Sequence, residues 1–115
     1  MKVIIAGSRD VNPTIDAIAT ALKEAGYDVT EVVSGGARGA DAAGELFAAA
    51  HNIPVKVFPA NWNKHGKGAG PIRNKEMGLY ADALLAFWKG NSPGTRHMID
   101  TMRTKRKPYY VVEAY

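Results

Sequence analysis

The sequence predicts an α/β protein whose parallel sheet lies between two layers of helices. Three observations carry that prediction. Short apolar runs alternate strictly with segments of helical periodicity, in the order β-α-β-α-β-α-β-α-β. The first of these runs is continuously apolar, as expected for a strand buried on both faces. No repeat, low-complexity tract or interdomain linker interrupts the alternation, and 115 residues fit one domain spanning 1–115.

The first strand is Val3-Ile4-Ile5-Ala6. Asn12-Pro13 reads as a helix start with proline in the first turn, and Ile15, Ile18, Ala19 and Leu22 follow the i, i+3, i+4, i+7 spacing up to a stop at Gly26. Val29 to Val33 is the second strand, and Ala43, Leu46, Phe47 and Ala50 give the second helix. Val55 to Phe58 is the third strand, ended by Pro59. Residues 59–70 read as one long irregular stretch, followed by a third helix from about Pro71 to Tyr80. Ala83 to Phe87 is the fourth strand. Thr95, Met98, Ile99 and Met102 mark the fourth helix, and Tyr109 to Val112 the last strand.

Bulk properties narrow the class. A hydrophobic fraction of 46% and a charged fraction of 23% are those of an ordinary soluble domain. No apolar run approaches the ~20 residues a membrane helix needs, and Met1-Lys2 leads directly into a strand. Neither membrane association nor a signal peptide is expected, and the expected location is cytoplasmic. The absence of cysteine excludes disulfides, thiolate metal sites and cysteine nucleophiles. A net charge of +4 invites a nucleic-acid reading. The only dense basic run, Arg103, Lys105, Arg106 and Lys107, ends a helix, where cations also complement the dipole. A solvated helix end and a polyanion contact both fit it.

Glycine clusters stand at three strand carboxyl ends: Gly7-Ser8-Arg9, Ser34-Gly35-Gly36-Ala37-Arg38-Gly39-Ala40-Asp41 and Gly90-Asn91-Ser92-Pro93-Gly94-Thr95. In an open parallel sheet the ligand sits outside those ends, where strand order reverses. Glycine lets backbone approach an anion, and the following helix offers N–H groups and the positive end of its dipole. The set therefore points to a phosphorylated ligand. Gly35, Gly36 and Gly39 do not form G-x-G-x-x-G and no G-K-[ST] is present, which disfavours dinucleotide dehydrogenases and P-loop enzymes.

Arg38 stands at a helix N-terminus, unfavourable for a cation without an anionic partner, either a ligand phosphate or Asp41. Asp41 is either a dipole-stabilising first-turn residue or a ribose contact. Arg73, with Asn74, starts the third helix after a basic glycine-rich loop and is either a surface residue or a phosphate contact. Asp82 reads first as a residue that starts a strand. His51, His65 and His97 have no metal-ligand spacing, and His65 is the one to consider as an acid or base. Of the two tryptophans, Trp88 ends the fourth strand and is the better stacking platform than Trp62.

The turn at 7–9, the loop at 34–41, Phe-Pro-Ala-Asn-Trp at 58–62, Ala-Gly-Pro-Ile-Arg-Asn at 69–74 and Phe-Trp-x-Gly-x-Ser-x-Gly-Thr at 87–95 together resemble the YspA/YpsA-related branch of the SLOG superfamily. The resemblance spans nearly the whole chain. It implies a single Rossmann-like three-layer sandwich with a five-stranded parallel sheet in the order 3-2-1-4-5, assembly as a homodimer or higher homo-oligomer, and a pocket for a nucleotide-derived small molecule. Many members of this branch come from bacteria and phages. The superfamily also holds the "Lonely guy" (LOG) phosphoribohydrolases, which cleave the N-glycosidic bond of nucleoside 5′-monophosphates with an arginine on the third helix and a glutamate in P-G-G-x-G-T-x-x-E. Arg73 and Met77 resemble that helix, but Met98 occupies the glutamate position, removing a carboxylate that would stabilise charge on the ribose. Asp100 is two residues on, about 200° round the helix. The loop at 34–41 also resembles that of DprA/Smf, where the fold helps bind single-stranded DNA, an option that the basic carboxyl-terminal helix keeps open.

The leading expectation is thus a nucleotide-ligand-binding protein, a sensor or sequestering protein for a nucleoside monophosphate or ADP-ribose-like molecule. Backbone amides around Gly35, Gly36, Gly94 and Thr95 hold phosphate, Arg9, Arg38 and Arg73 supply charge, Asp41 or Asp82 holds a ribose, and Trp88 stacks on a base. Gly7, Ser8, Ser34, Gly39, Asn74 and Ser92 complete the expected site. The alternatives are a LOG-like glycosidase with an altered catalytic set, in which Arg73 is the catalytic residue, and a nucleic-acid module of the DprA kind. No metal and no cofactor are expected.

Overall fold

A computed structural model describes residues 1–113. Its elements run β1 (Lys2–Gly7), α1 (Ile15–Ala25), β2 (Glu31–Ser34), α2 (Ala40–Ala50), β3 (Val55–Val57), α3 (Trp62–His65), a 3-10 turn (Gly66–Gly68), α4 (Ala69–Tyr80), β4 (Ala83–Trp88), α5 (Pro93–Thr104) and β5 (Tyr109–Glu113). The five strands form one parallel sheet in the order β3-β2-β1-β4-β5, as expected.

Successive side chains on a strand point to opposite faces, and the core divides accordingly. Val3 and Ile5 of β1, with Val32, Leu85 and Phe87, pack against Ile18 and Leu22 of α1 and Phe47 of α2. Ile4 and Ala6, with Val33, Leu84 and Ala86, pack against Met77 of α4 and Met98, Ile99 and Met102 of α5. Each fully buried large side chain contributes roughly 1.5–3 kcal/mol, so both layers are held chiefly by these contacts.

Several boundaries differ from expectation, each for a local reason. The first helix begins at Ile15, not at Pro13: Thr14 is extended, and its hydroxyl caps the helix by accepting from the Ala17 N–H at 3.0 Å. The second strand begins at Glu31 instead of Val29, because the ladder starts where β1 does, with Lys2 opposite Glu31. The stretch at 59–70 is not irregular. Asn61 caps the single turn of α3 by accepting from the Lys64 N–H at 3.1 Å, and the 3-10 turn leads into α4 two residues before Pro71. No helix among the described residues is long and apolar enough to cross a membrane.

The topology places the site. β1 and β4 are neighbours, yet β1 leads into α1 on one face and β4 into α5 on the other. Chain leaving in opposite directions from adjacent strands opens a crevice at their carboxyl ends.

Candidate functional site

A cavity of about 620 Å³ occupies that crevice. Its walls come from the turn after β1 (Gly7, Ser8 and Arg9), from α4 (Arg73, Asn74) and from the start of α5 (Ser92, Gly94, Thr95). Asp41 of α2 reaches it from the side. Gly35, Gly36 and Arg38 line an adjoining cleft of about 450 Å³.

Arg73 joins the two glycine loops. Its Nη1 donates to the Gly35 carbonyl at 2.6 Å and its Nε to Asn74 Oδ1 at 3.1 Å. Asn74 Nδ2 in turn donates to the Gly94 carbonyl at 3.2 Å and lies 3.1 Å from His97 Nδ1. One arginine–asparagine pair on α4 therefore ties the loop after β2 to the first turn of α5. The approach leaves no room for a side chain at position 35: a Cβ there would lie 2.5 Å from Arg73 Nη1 and 2.8 Å from Asp41 Oδ2.

Two charged groups of the crevice are shifted by burial. Burial pushes the Asp41 carboxyl up to about 6, against the pull of the Ala37 N–H and of the Arg73 guanidinium. Burial also lowers the pKa of Arg73, an effect that Asp41 opposes and Arg9 reinforces. Arg73 is the cation whose charge acts on Asp41, although among the described residues neither Arg73 nor Arg38 forms an ion pair with it. At the start of α5, Ser92 Oγ accepts from the Thr95 N–H at 3.4 Å and meets Thr95 Oγ1 at 2.9 Å. Helix starts leave N–H groups without intrahelical acceptors, and Pro93 reduces their number by one while fixing φ for the turn.

The other expected residues support the walls. Ser8 receives the Lys89 N–H on its hydroxyl at 3.3 Å and donates its own N–H to the Phe87 carbonyl at 3.1 Å, fixing the turn after β1 to the end of β4. Lys89 also pairs with Asp10 at 2.7 Å and holds that carboxyl below its ordinary value. Ser34 lies behind the loop, fully buried, donating to Glu45 Oε2 at 2.7 Å and accepting from the Gly36 N–H at 3.1 Å. Gly39 makes the turn into α2 at φ 80°, where a Cβ would lie 2.5–2.6 Å from carbonyl atoms of Arg9 and Ser8.

Three expectations about placement change. Trp88 packs against the α4–α5 core layer and lines neither cavity, its Nε1 buried without a partner among the described residues; Trp62, 53% exposed, lines both. His65 is exposed on α3 outside both cavities, whereas His97 lines the larger one. His97 is legible in retrospect, one helical turn beyond Pro93 on the face that turns toward the crevice. Asp82 accepts the Lys2 N–H at 2.8 Å at the amino end of the sheet, so it starts a strand and is far from the crevice.

Met98 lines the cavity from α5, while Asp100 pairs with Arg96 at 3.9 Å and Arg103 at 3.3 Å, outside it. The basic run lies at the opposite end of α5. There Lys107 has a defined task, its Nζ donating to the Gly78, Leu79 and Ala81 carbonyls at 2.8, 3.1 and 2.8 Å and so capping α4. Among the described residues no cluster of three or more histidine and acidic side chains is placed to hold a metal ion.

Comparison with known proteins agrees with this architecture. Residues 1–65 match the YAcAr family, described as the YspA, cpYpsA-related SLOG family. The Gene 61 protein of Mycobacterium phage D29 is 42% identical over 105 residues, covering 84% of this chain and 83% of that protein. Among solved structures, DNA processing protein A (DprA) from Streptococcus pneumoniae superposes with a TM-score of 0.78 at 14% identity, over 99% of this chain and 50% of that one. The likeness to DprA is one of fold, and this chain spans half the length of that protein.

Proposed function

Since the chain belongs to the YspA, cpYpsA-related SLOG family, we propose that it binds a nucleotide or nucleotide-derived ligand in the crevice between β1 and β4, as a sensor or sequestering protein. The observation that carries this reading is the convergence of both glycine loops, Arg9 and Arg73 on one cavity of about 620 Å³ at the point where strand order reverses. That volume is in the range of small-molecule sites, commonly about 300–1,000 Å³. The first turn of α5 and the arginines take the phosphate, and Asp41 accepts from ribose hydroxyls.

Binding is favoured over cleavage by what lines the wall. The apolar Met98 stands where the LOG hydrolases resembled by this sequence carry glutamate, and Asp100 is engaged by two arginines elsewhere. Without a carboxylate there, positive charge building on a ribose in a glycosidic transition state lacks its stabiliser.

Isothermal titration calorimetry against nucleoside monophosphates, ADP-ribose and cyclic nucleotides tests the proposal. Saturable binding that is lost in Arg73→Ala is the expected result. No heat from any of them at millimolar ligand would refute it, and product appearing on chromatography of the mixtures would replace binding with turnover.

A further inference from the structure

The side-chain amide of Asn74 has its two ends assigned by their partners. Arg73 Nε, which can only donate, lies 3.1 Å from Asn74 Oδ1. The Gly94 carbonyl, which can only accept, lies 3.2 Å from Asn74 Nδ2. The amide therefore has one orientation, with Nδ2 as its donor end. That same Nδ2 lies 3.1 Å from His97 Nδ1. A proton on Nδ1 would set N–H against N–H, so Nδ1 is the acceptor and the neutral ring carries its proton on Nε2. Asn74 is buried, so water competes little for these bonds.

The other ring nitrogen is open. His97 Nε2 has no hydrogen-bond partner and the ring pairs with no carboxylate among the described residues. The one buried side-chain nitrogen or oxygen left unpartnered among those residues is Trp88 Nε1, so Nε2 of the half-buried His97 is accessible. His97 lines the cavity of about 620 Å³ from the start of α5. A neutral N–H donor held in this way differs from the arginines. It adds a directional hydrogen bond to the site without adding charge.

We propose that His97 is a specificity-determining residue of the crevice, presenting Nε2–H to an acceptor atom of the bound ligand, and that Asn74 is the positioning residue that holds it in that tautomer. This rests on the nucleotide reading of the crevice and assigns one of its contacts. Arg73 grips the other end of the same amide, so the donor on α5 is set by α4 and not by its own helix.

Two measurements test this. Long-range proton–nitrogen NMR correlation on the full chain without ligand, in mildly alkaline buffer, reads the tautomer. The parent is expected to show Nε2–H. Asn74→Asp puts an oxygen where the donor stood and is expected to move the proton to Nδ1. If thermal melting shows that variant unfolded, Asn74→Ala takes its place, with the proton expected on both nitrogens. Nδ1–H in the parent, or a tautomer indifferent to position 74, overturns the positioning. Calorimetric titration with AMP, ADP-ribose and cyclic AMP then compares the parent with His97→Gln and His97→Asn. Glutamine carries an amide nitrogen about where Nε2 stands, whereas asparagine reaches only as far as Nδ1. The probe that binds the parent most tightly is expected to bind His97→Gln within about threefold and His97→Asn about tenfold or more weakly. His97→Ala replaces His97→Asn if the latter is unfolded. Equal affinities throughout, or equal losses in both variants, overturn the role of His97 and leave the nucleotide pocket standing. Absence of binding of all three probes to the parent overturns both.

Discussion

Replacing Asp41 with asparagine should stabilise the protein at neutral and alkaline pH, an unusual expectation for a buried residue with a bonded side chain. In the folded chain burial raises the Asp41 pKa from 3.8 to about 6. A folded value above the unfolded one means that the native state binds the proton more tightly. That contribution to stability is fully present below about pH 4 and is lost as pH rises through about 6. Two pH units correspond to about 3 kcal/mol. The attraction of Arg73 and the bond from the Ala37 N–H already act on this value, so burial outweighs both. Asparagine keeps an oxygen for the Ala37 N–H and carries no charge, but it leaves Arg73 without its neighbouring carboxylate. The expected gain at pH 8 is therefore about 1–3 kcal/mol, vanishing near pH 4. Urea unfolding of both proteins from pH 4 to pH 8 reads this directly. A stability difference that is flat across the range, or a variant weaker than the parent at pH 8, would refute the reasoning.

Other substitutions probe the supports of the cleft. Gly39→Ala forces a side chain into φ 80° with its Cβ 2.5–2.6 Å from carbonyl atoms of Arg9 and Ser8, and should cost about 3 kcal/mol or more by urea midpoint; a loss under about 1 kcal/mol contradicts the geometry. Lys107→Met leaves three carbonyls at the end of α4 without their shared donor and should cost about 1–3 kcal/mol, with no effect on ligand affinity. Arg73→Lys keeps a charge but loses the fork that spans Gly35 and Asn74, so it should not rescue the binding lost in Arg73→Ala. Equal affinity in Arg73→Lys and the parent would reduce Arg73 to a point charge.

The sheet and its crevice were legible because short strand-like runs, most clearly the apolar β1 and β4, alternate with helical segments and each glycine cluster follows one. Alternation along the strands follows as well: Leu84, Ala86 and Trp88 share a parity, which places Trp88 on the face covered by α4 and α5. Its position at a strand end made it look like a platform, but parity gives it to the core layer. Trp62 was obscured because α3 is a single turn, too short to show a helical period. The cation that acts on Asp41 was obscured for a different reason. Arg38 is three residues away, but Gly39 turns the chain between them, and Arg73 arrives from another helix through the crossover to α4. Such an influence depends on tertiary approach and leaves no trace in local spacing.

The central claim is that ligand enters the crevice between β1 and β4. Backbone amide chemical-shift mapping during titration with ADP-ribose tests it most directly. The account predicts saturable shifts concentrated in Gly7 to Asp10, Gly35 to Arg38 and Gly94 to Thr95, with the end of α5 unmoved. Shifts confined to Arg103 to Lys107, or a spectrum unchanged at millimolar ligand, would contradict it.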